Sequence, residues 1–258
     1  MGSEFESQER IKREQDFHNK RFGESDHVRG PTSKYYAVMT PVKERYKRMI
    51  AENCSGKRVL EYGCATGGTT FAWAQRGAKV FGIDISDEAV KIAQETAAKE
   101  NLPVEFAVMN AEALEFPPKR FDMIVGTGIL HHLELNKSYS ELSRVLDAGG
   151  VALFIEPMGH NPFINLYRWL TPKMRTEDEH PFKMSDIQLA RKYFQKVDVE
   201  YYNFLTLFTI PFRSWKSYPK ILGFANGVDQ TLFKILPFTK RWAWMVILKF
   251  SNPIRGSE

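Results

Sequence analysis

The chain has 258 residues, 43% of them apolar, which is enough to fill the core of one globular domain with insertions. Its net charge of +5 is unevenly spread: residues 205–250 carry seven bases against the single acid Asp229, so the remainder is near neutral and a globally basic nucleic-acid binder is disfavoured. Two cysteines, Cys54 and Cys64, make no disulfide framework, and neither a membrane-length apolar run nor a signal-type stretch is visible, so the expectation is a cytoplasmic protein.

Taken in chain order, Met1 to Phe5 reads like a vector-derived scar. Residues 6–34 are polar with balanced charge, and Gly30-Pro31 interrupts them before Tyr35-Tyr36. The expectation for residues 1–34 is a helical arm that closes as a lid, with Phe17, His18, Tyr35 and Tyr36 turned inward. After Gly56, short β-branched runs alternate with helical stretches, the pattern of a parallel sheet with crossover helices. Strands are predicted over Arg58–Tyr62, Lys79–Asp84, Val104–Met109, Phe121–Gly126 and Val151–Glu156. Ser138 with Glu141 has the spacing of a capping box, and Gly149-Gly150 is suited to end that helix in a left-handed turn. Ser185 with Gln188 repeats the box and opens a helix to about Phe194. Two further strands are expected at Lys196–Asn203 and Trp242–Phe250, separated by an aromatic, basic stretch too long for a hairpin turn. Residues 35–258 then form one domain with cap insertions at about 158–184 and 205–240.

Glu61-Tyr-Gly63-Cys64-Ala65-Thr-Gly67-Gly68 follows an apolar strand and enters a helix, which lets a ligand approach the backbone at a helix N-terminus. Gly63, Ala65 and Gly68 fit a dinucleotide fingerprint, which keeps an NAD(P)-dependent oxidoreductase open. Glu61 argues against it, because a carboxylate two residues before the first glycine repels a pyrophosphate and favours a cationic ligand. Asp84, at the end of the second strand, suits ribose hydroxyls in either case.

Three later segments follow in order: Asn110-Ala111-Glu112, Phe121-Asp122 through Gly126 to His131-His132, and Arg144 to Gly150. Together with the glycine loop this series resembles the class I S-adenosylmethionine-dependent methyltransferases over about Phe17 to Glu156. The resemblance implies a doubly wound, seven-stranded, mostly parallel α/β sheet whose last strand is antiparallel. It also implies that Gly63, Cys64 and Ala65 line the methionine part of S-adenosylmethionine, Asp84 the ribose, and Ile85 the adenine face, with Gly67 among the cofactor-binding residues of the loop. Asn110 and Ala111 would meet the adenine edge and Gly126 the ammonium through its carbonyl, with Glu61, Glu112 and Tyr36 as further cofactor-binding residues. Ala65 and Asn110 stand where the family usually has Gly and Asp. S-adenosylhomocysteine would be the product.

For the chemistry, a hydroxyl acceptor needs a base, and histidine titrates nearest neutrality. His160 and His180 lie in the polar block after the fifth strand, which resembles a block of one methyltransferase subgroup, and His131 follows the fourth. They are ranked in that order as bases, while His132 is expected only to brace its loop. Gly126-Thr127-Gly128 offers no carboxylate to hold Mg²⁺, and no metal is expected in the protein. Cys64 is read as small rather than nucleophilic. The favoured reaction is O-methylation of a hydrophobic small molecule, with carboxylate, N- or C-methylation as alternatives and a non-catalytic cofactor-binding module as a rival. The aromatics of 205–240 are expected to be mostly core, although residues 212–220 mix aromatic and basic side chains as a substrate lid or a weak membrane-surface contact does.

Overall fold

A computed structural model describes residues 2–23, 36–170 and 180–255. Seven strands form one sheet: β1 (Arg58–Tyr62), β2 (Lys79–Asp84), β3 (Val104–Val108), β4 (Phe121–Thr127), β5 (Leu146–Pro157), β6 (Phe194–Tyr202) and β7 (Met245–Pro253). Their order is β3-β2-β1-β4-β5-β7-β6. The first five are parallel, while β7 runs antiparallel to both neighbours, with Leu153 opposite Lys249 and Val199 opposite Leu248. Chain order reverses between β1 and β4, and the crevice at the carboxyl ends of those strands is where open α/β sheets bind ligands.

Both faces of the sheet are covered because its strands are apolar on both sides. Val59, Val80 and Met123 point to the face that carries α2 (Thr40–Ala51) and α3 (Gly68–Ala74). Leu60, Ile124 and Phe154 point to the other face, against α5 (Leu135–Val145), α7 (Met184–Ala190) and α8 (Tyr218–Ile235). The helix α4 (Asp87–Glu100) packs Val90, Ala93 and Ala97 on Phe106, and its N-cap Ser86 accepts the amide of Ala89 at 3.1 Å. Ahead of these lies α1 (Gly2–Gly23), and α6 (Pro162–Leu170) follows β5. The arm is therefore a continuous helix from residue 2, and the expected turn at Gly30-Pro31, like Tyr35, lies outside the described residues.

Three local expectations fail for identifiable reasons. Glu134 caps α5, its carboxylate accepting the amides of Asn136 at 3.0 Å and Lys137 at 3.2 Å, so Ser138 sits inside the helix and donates to the carbonyl of Glu134. Gly149-Gly150 lies within β5 rather than in a left-handed turn; a side chain at Gly150 would come within 3.0 Å of the carbonyl of Asp122. At α7 the reciprocal partner is Asp186, whose carboxylate accepts the amide of Lys183 at 2.7 Å, and the helix ends at Ala190 because β6 begins at Phe194.

Candidate active site

After β1 the chain turns sharply under the sheet edge. Gly63 and Gly67 adopt left-handed backbone angles of φ 76° and 83°, and Ala65 does so at φ 48° despite its methyl group. The carboxylate of Asp84 holds the turn by accepting the amide of Ala65 at 2.8 Å, and it also accepts the amide of Ser86 at 3.0 Å. The amides of Gly63 and Cys64 both donate to the carbonyl of Ile83, at 2.9 and 2.8 Å, which fastens the loop to β2. Glu61 is buried beside it, and its two oxygens accept the hydroxyls of Thr69 and Thr70 at the start of α3. Burial raises its carboxyl to about 7, against the lowering effect of those two hydroxyls.

A cavity of about 1280 Å³ opens over this loop. Single-ligand pockets span roughly 300 to 1,000 Å³, so there is room for a nucleotide-sized molecule and a second one. Glu61, Gly63, Cys64, Ala65, Asp84 and Ile85 line it, as do Asn110, Ala111, Glu112 and Tyr36. Burial pushes the Cys64 thiol far up, so a thiolate nucleophile is not available there. Two expected residues do not line the cavity. Gly67 is the left-handed residue just before α3, where an added side chain would come within 2.8 Å of Phe71. The carbonyl of Gly126 instead accepts the buried Tyr46 hydroxyl at 2.9 Å, and Phe154 packs where its side chain would be; Thr127 and Gly128 face the cavity next to it.

One wall comes from α1, the helical arm expected to close over the site. Arg10 pairs with Glu112 at 2.5 Å and donates to the carbonyl of His132 at 3.0 Å. Gln15 donates to the carbonyl of Ile85 at 3.0 Å, and Asn19 bridges Asp87 and Ser86. These bonds dock a helix with little apolar surface, and Phe17 and His18 line the cavity as expected. Glu112 thus ties the arm to the sheet and also accepts the amide of Glu134 at 2.8 Å. Glu14, His18 and His132 converge here, with ligating atoms within 4.8 Å of one another, the one such group among the described residues. A divalent ion is chemically compatible with two imidazoles and a carboxylate.

The histidine ranking changes. His160 does not line the cavity; its Nε2 accepts the amide of Met184 at 3.3 Å and so braces the loop after β5 against the start of α7. His180 is also outside the lining, half-buried, with desolvation lowering its imidazole, and the rest of its polar block, Thr171 to Glu179, lies outside the described residues. His131 lines the cavity, and its Nδ1 lies 2.7 Å from the fully buried carboxylate of Glu156. The other oxygen of Glu156 accepts the amides of Ile129 and Leu130, both at 2.9 Å, so the carboxylate is fixed from the carboxyl end of β5. Glu156 was visible in the sequence only as the start of a polar loop.

Residues 59–150 match the family described as "Methyltransferase domain". Over those residues the chain carries a methyltransferase domain of the class I S-adenosylmethionine-dependent type. This methyltransferase domain is 34% identical over 117 residues to a ubiquinone biosynthesis O-methyltransferase of Pseudomonas fluorescens (strain SBW25), covering 45% of this chain and 50% of that one. It is 33% identical over 133 residues to an uncharacterized methyltransferase of Bacillus thuringiensis, covering 50% and 59%. The chain thus spans about half the length of the curated relatives it matches. Among solved structures it is similar to a Haemonchus contortus phosphoethanolamine N-methyltransferase 2 in complex with S-adenosyl-L-methionine, with a TM-score of 0.61 and 17% identity over 92% of this chain and 60% of that one. A geranyl diphosphate C-methyltransferase of Streptomyces coelicolor shares the fold with a TM-score of 0.57 and 15% identity over 90% and 86%.

Proposed function

We propose that the protein transfers a methyl group from S-adenosylmethionine to a hydroxyl of a hydrophobic small molecule, with His131 as the base. The observation that carries the reading is the His131–Glu156 pair in the wall of the cavity that the glycine loop and Asp84 also line. S-adenosylmethionine supplies an electrophilic methyl on a sulfonium, and S-adenosylhomocysteine leaves once the carbon–sulfur bond breaks. The loop suits such a ligand: Gly63 lines the cavity with backbone alone, and Asp84 retains acceptor capacity for ribose hydroxyls. Glu61 presents a carboxylate to the cationic methionine end.

Glu156 selects the tautomer of His131 with hydrogen on Nδ1, which leaves the lone pair on Nε2 to accept the acceptor's proton. The deprotonated oxygen attacks the methyl carbon in line, and the sulfur keeps the bonding electron pair. Positioning of the two reactants supplies the larger share of the acceleration. A hydrophobic acceptor is supported by Met39, Ile129, Ile155 and Met245 in the cavity wall and by the name of the Pseudomonas relative.

The test is turnover of a panel of hydroxylated aromatic acceptors with S-adenosylmethionine, alongside calorimetry with S-adenosylhomocysteine. His131→Ala is expected to lower kcat by about 10² to 10⁴ while product affinity stays near wild type. His160→Ala is expected to leave kcat almost unchanged. Full activity in His131→Ala would show that the acceptor arrives already ionised, as a carboxylate does, and would remove the base. Absence of any binding of S-adenosylhomocysteine or NAD(P) would favour neither enzyme.

A further inference from the structure

The late insertion does not line the large cavity, so the reading of residues 212–220 as a substrate lid has no support from its geometry. Nor are its aromatics mostly core: Phe208, Phe212, Trp215, Phe224 and Phe238 are exposed, Phe224 by 77%. An exposed apolar face of this kind calls for a partner. We propose that α6 and residues 205–216 dock the protein peripherally on an anionic lipid bilayer.

The surface is continuous. On α6, Phe163, Leu166, Trp169 and Leu170 recur at helical spacing and are all exposed, Trp169 by 76%. Ile164, on the other side of that helix, is buried with Val38, Leu207, Tyr218 and Leu222, so the exposed stripe is held at a set orientation. Phe163 meets Phe208 edge to face with ring centres 5.0 Å apart, and Phe212 meets Trp215 at 4.9 Å. An apolar cleft of about 490 Å³ lies between α6 and residues 207–213.

Charge decides which partner. Residues 205–250 hold seven bases and one acid, and that acid, Asp229, is fully buried, its carboxylate accepting the amides of Phe204 and Leu205. The exposed charge of the insertion is therefore wholly positive, with Arg213, Lys216 and Lys220 beside the aromatic row. Leucine and tryptophan flanked by lysine and arginine suit the headgroup layer of an anionic bilayer, where rings enter the acyl boundary and cations meet phosphate. No described helix is long and apolar enough to cross a membrane, so the contact is with the surface. The core beneath this face packs on Trp244, which also lines the large cavity. The docked face thus lies beside the cavity and would present it to lipid-dissolved acceptors; that last step alone rests on the function proposed above.

The full chain is tested by flotation with vesicles of phosphatidylcholine alone and mixed with phosphatidylglycerol, at low and high salt, without cofactor or acceptor. Flotation is expected with the anionic vesicles, weakened by salt, and little with the neutral ones. Leu166→Ser combined with Trp169→Ser should reduce partitioning about tenfold or more. Lys216→Glu with Lys220→Glu should abolish the preference for anionic lipid. Both pairs are exposed, and an unchanged melting temperature and S-adenosylhomocysteine affinity would show an intact fold. Wild-type protein that stays below both kinds of vesicle would overturn the proposal, and self-association through the same residues would assign the face to a second copy instead. Because the readout needs no turnover, it can fail while the methyl-transfer reading stands, and the reverse.

Discussion

Glu61 links cofactor binding to pH in a way that can be calculated. In the free protein, burial holds its carboxyl at about 7, well above the ordinary carboxylate range. A cationic methionine end in the same cavity favours the ionised form, so binding lowers that value and expels a proton. The sign follows: affinity rises with pH until Glu61 is ionised in the free protein too, and levels off above about 7. If the bound form is fully ionised, the association constant of S-adenosylhomocysteine increases about 16-fold between about pH 5.5 and 7, roughly 1.6 kcal/mol. Titration calorimetry in two buffers of different ionisation enthalpy reads both the affinity and the released proton. Glu61→Gln should flatten the profile. Thr70→Val, which removes a hydroxyl that lowers the carboxyl, should move the rise to higher pH. A wild-type affinity independent of pH over that range, with no proton release, would refute the placement of the cation beside Glu61.

Three other outcomes are expected. S-adenosylhomocysteine should slow hydrogen exchange in α1, and Arg10→Ala with Asn19→Ala should reverse this by removing its bonds to Glu112, the His132 carbonyl and Asp87; equal protection with and without ligand would count against a lid. Transfer should survive EDTA, because Glu14, His18 and His132 are read as bracing α1 against the loop after β4; activity lost on chelation and restored by Zn²⁺ would make them ligands instead. Phe250→Ala should cost about 3 to 5 kcal/mol in urea denaturation, since this fully buried ring stacks on Phe194 at 5.1 Å and meets Phe154 and Tyr139. A loss below about 1 kcal/mol would mean that the core on the face covered by α5, α7 and α8 repacks freely.

The strands were legible because a buried parallel strand must be a short apolar run between turn residues; β1 to β4 begin at the expected residues, while β5 begins at Leu146, five residues before the expected Val151. β6 and β7 were placed by the same signal. The glycine loop was legible for a stereochemical reason: Gly63 and Gly67 mark where the backbone must go left-handed, and Asp84 ends the neighbouring strand. Capping was legible less well, since Glu134 and Asp186 compete with the hydroxyls of Ser138 and Ser185 and only the folded backbone decides which carboxylate reaches the free amides.

By itself, then, the sequence determined the layered α/β fold, the cofactor loop and the basic character of the late insertion, because these depend on local periodicity, glycine stereochemistry and charge count. The tertiary structure alone decided which side chains share a space. Glu156 and His131 are 25 residues apart and meet only because β4 and β5 lie side by side. Arg10 reaches Glu112 across 102 residues, and the Gly126 carbonyl meets Tyr46 across 80. Likewise, the aromatics of residues 205–240 read as core material from composition, since an apolar side chain carries no record of which side its helix turns to water. Exposure is fixed by how Ile164, Leu207 and Tyr218 pack beneath them, a property of long-range contacts that no local pattern contains.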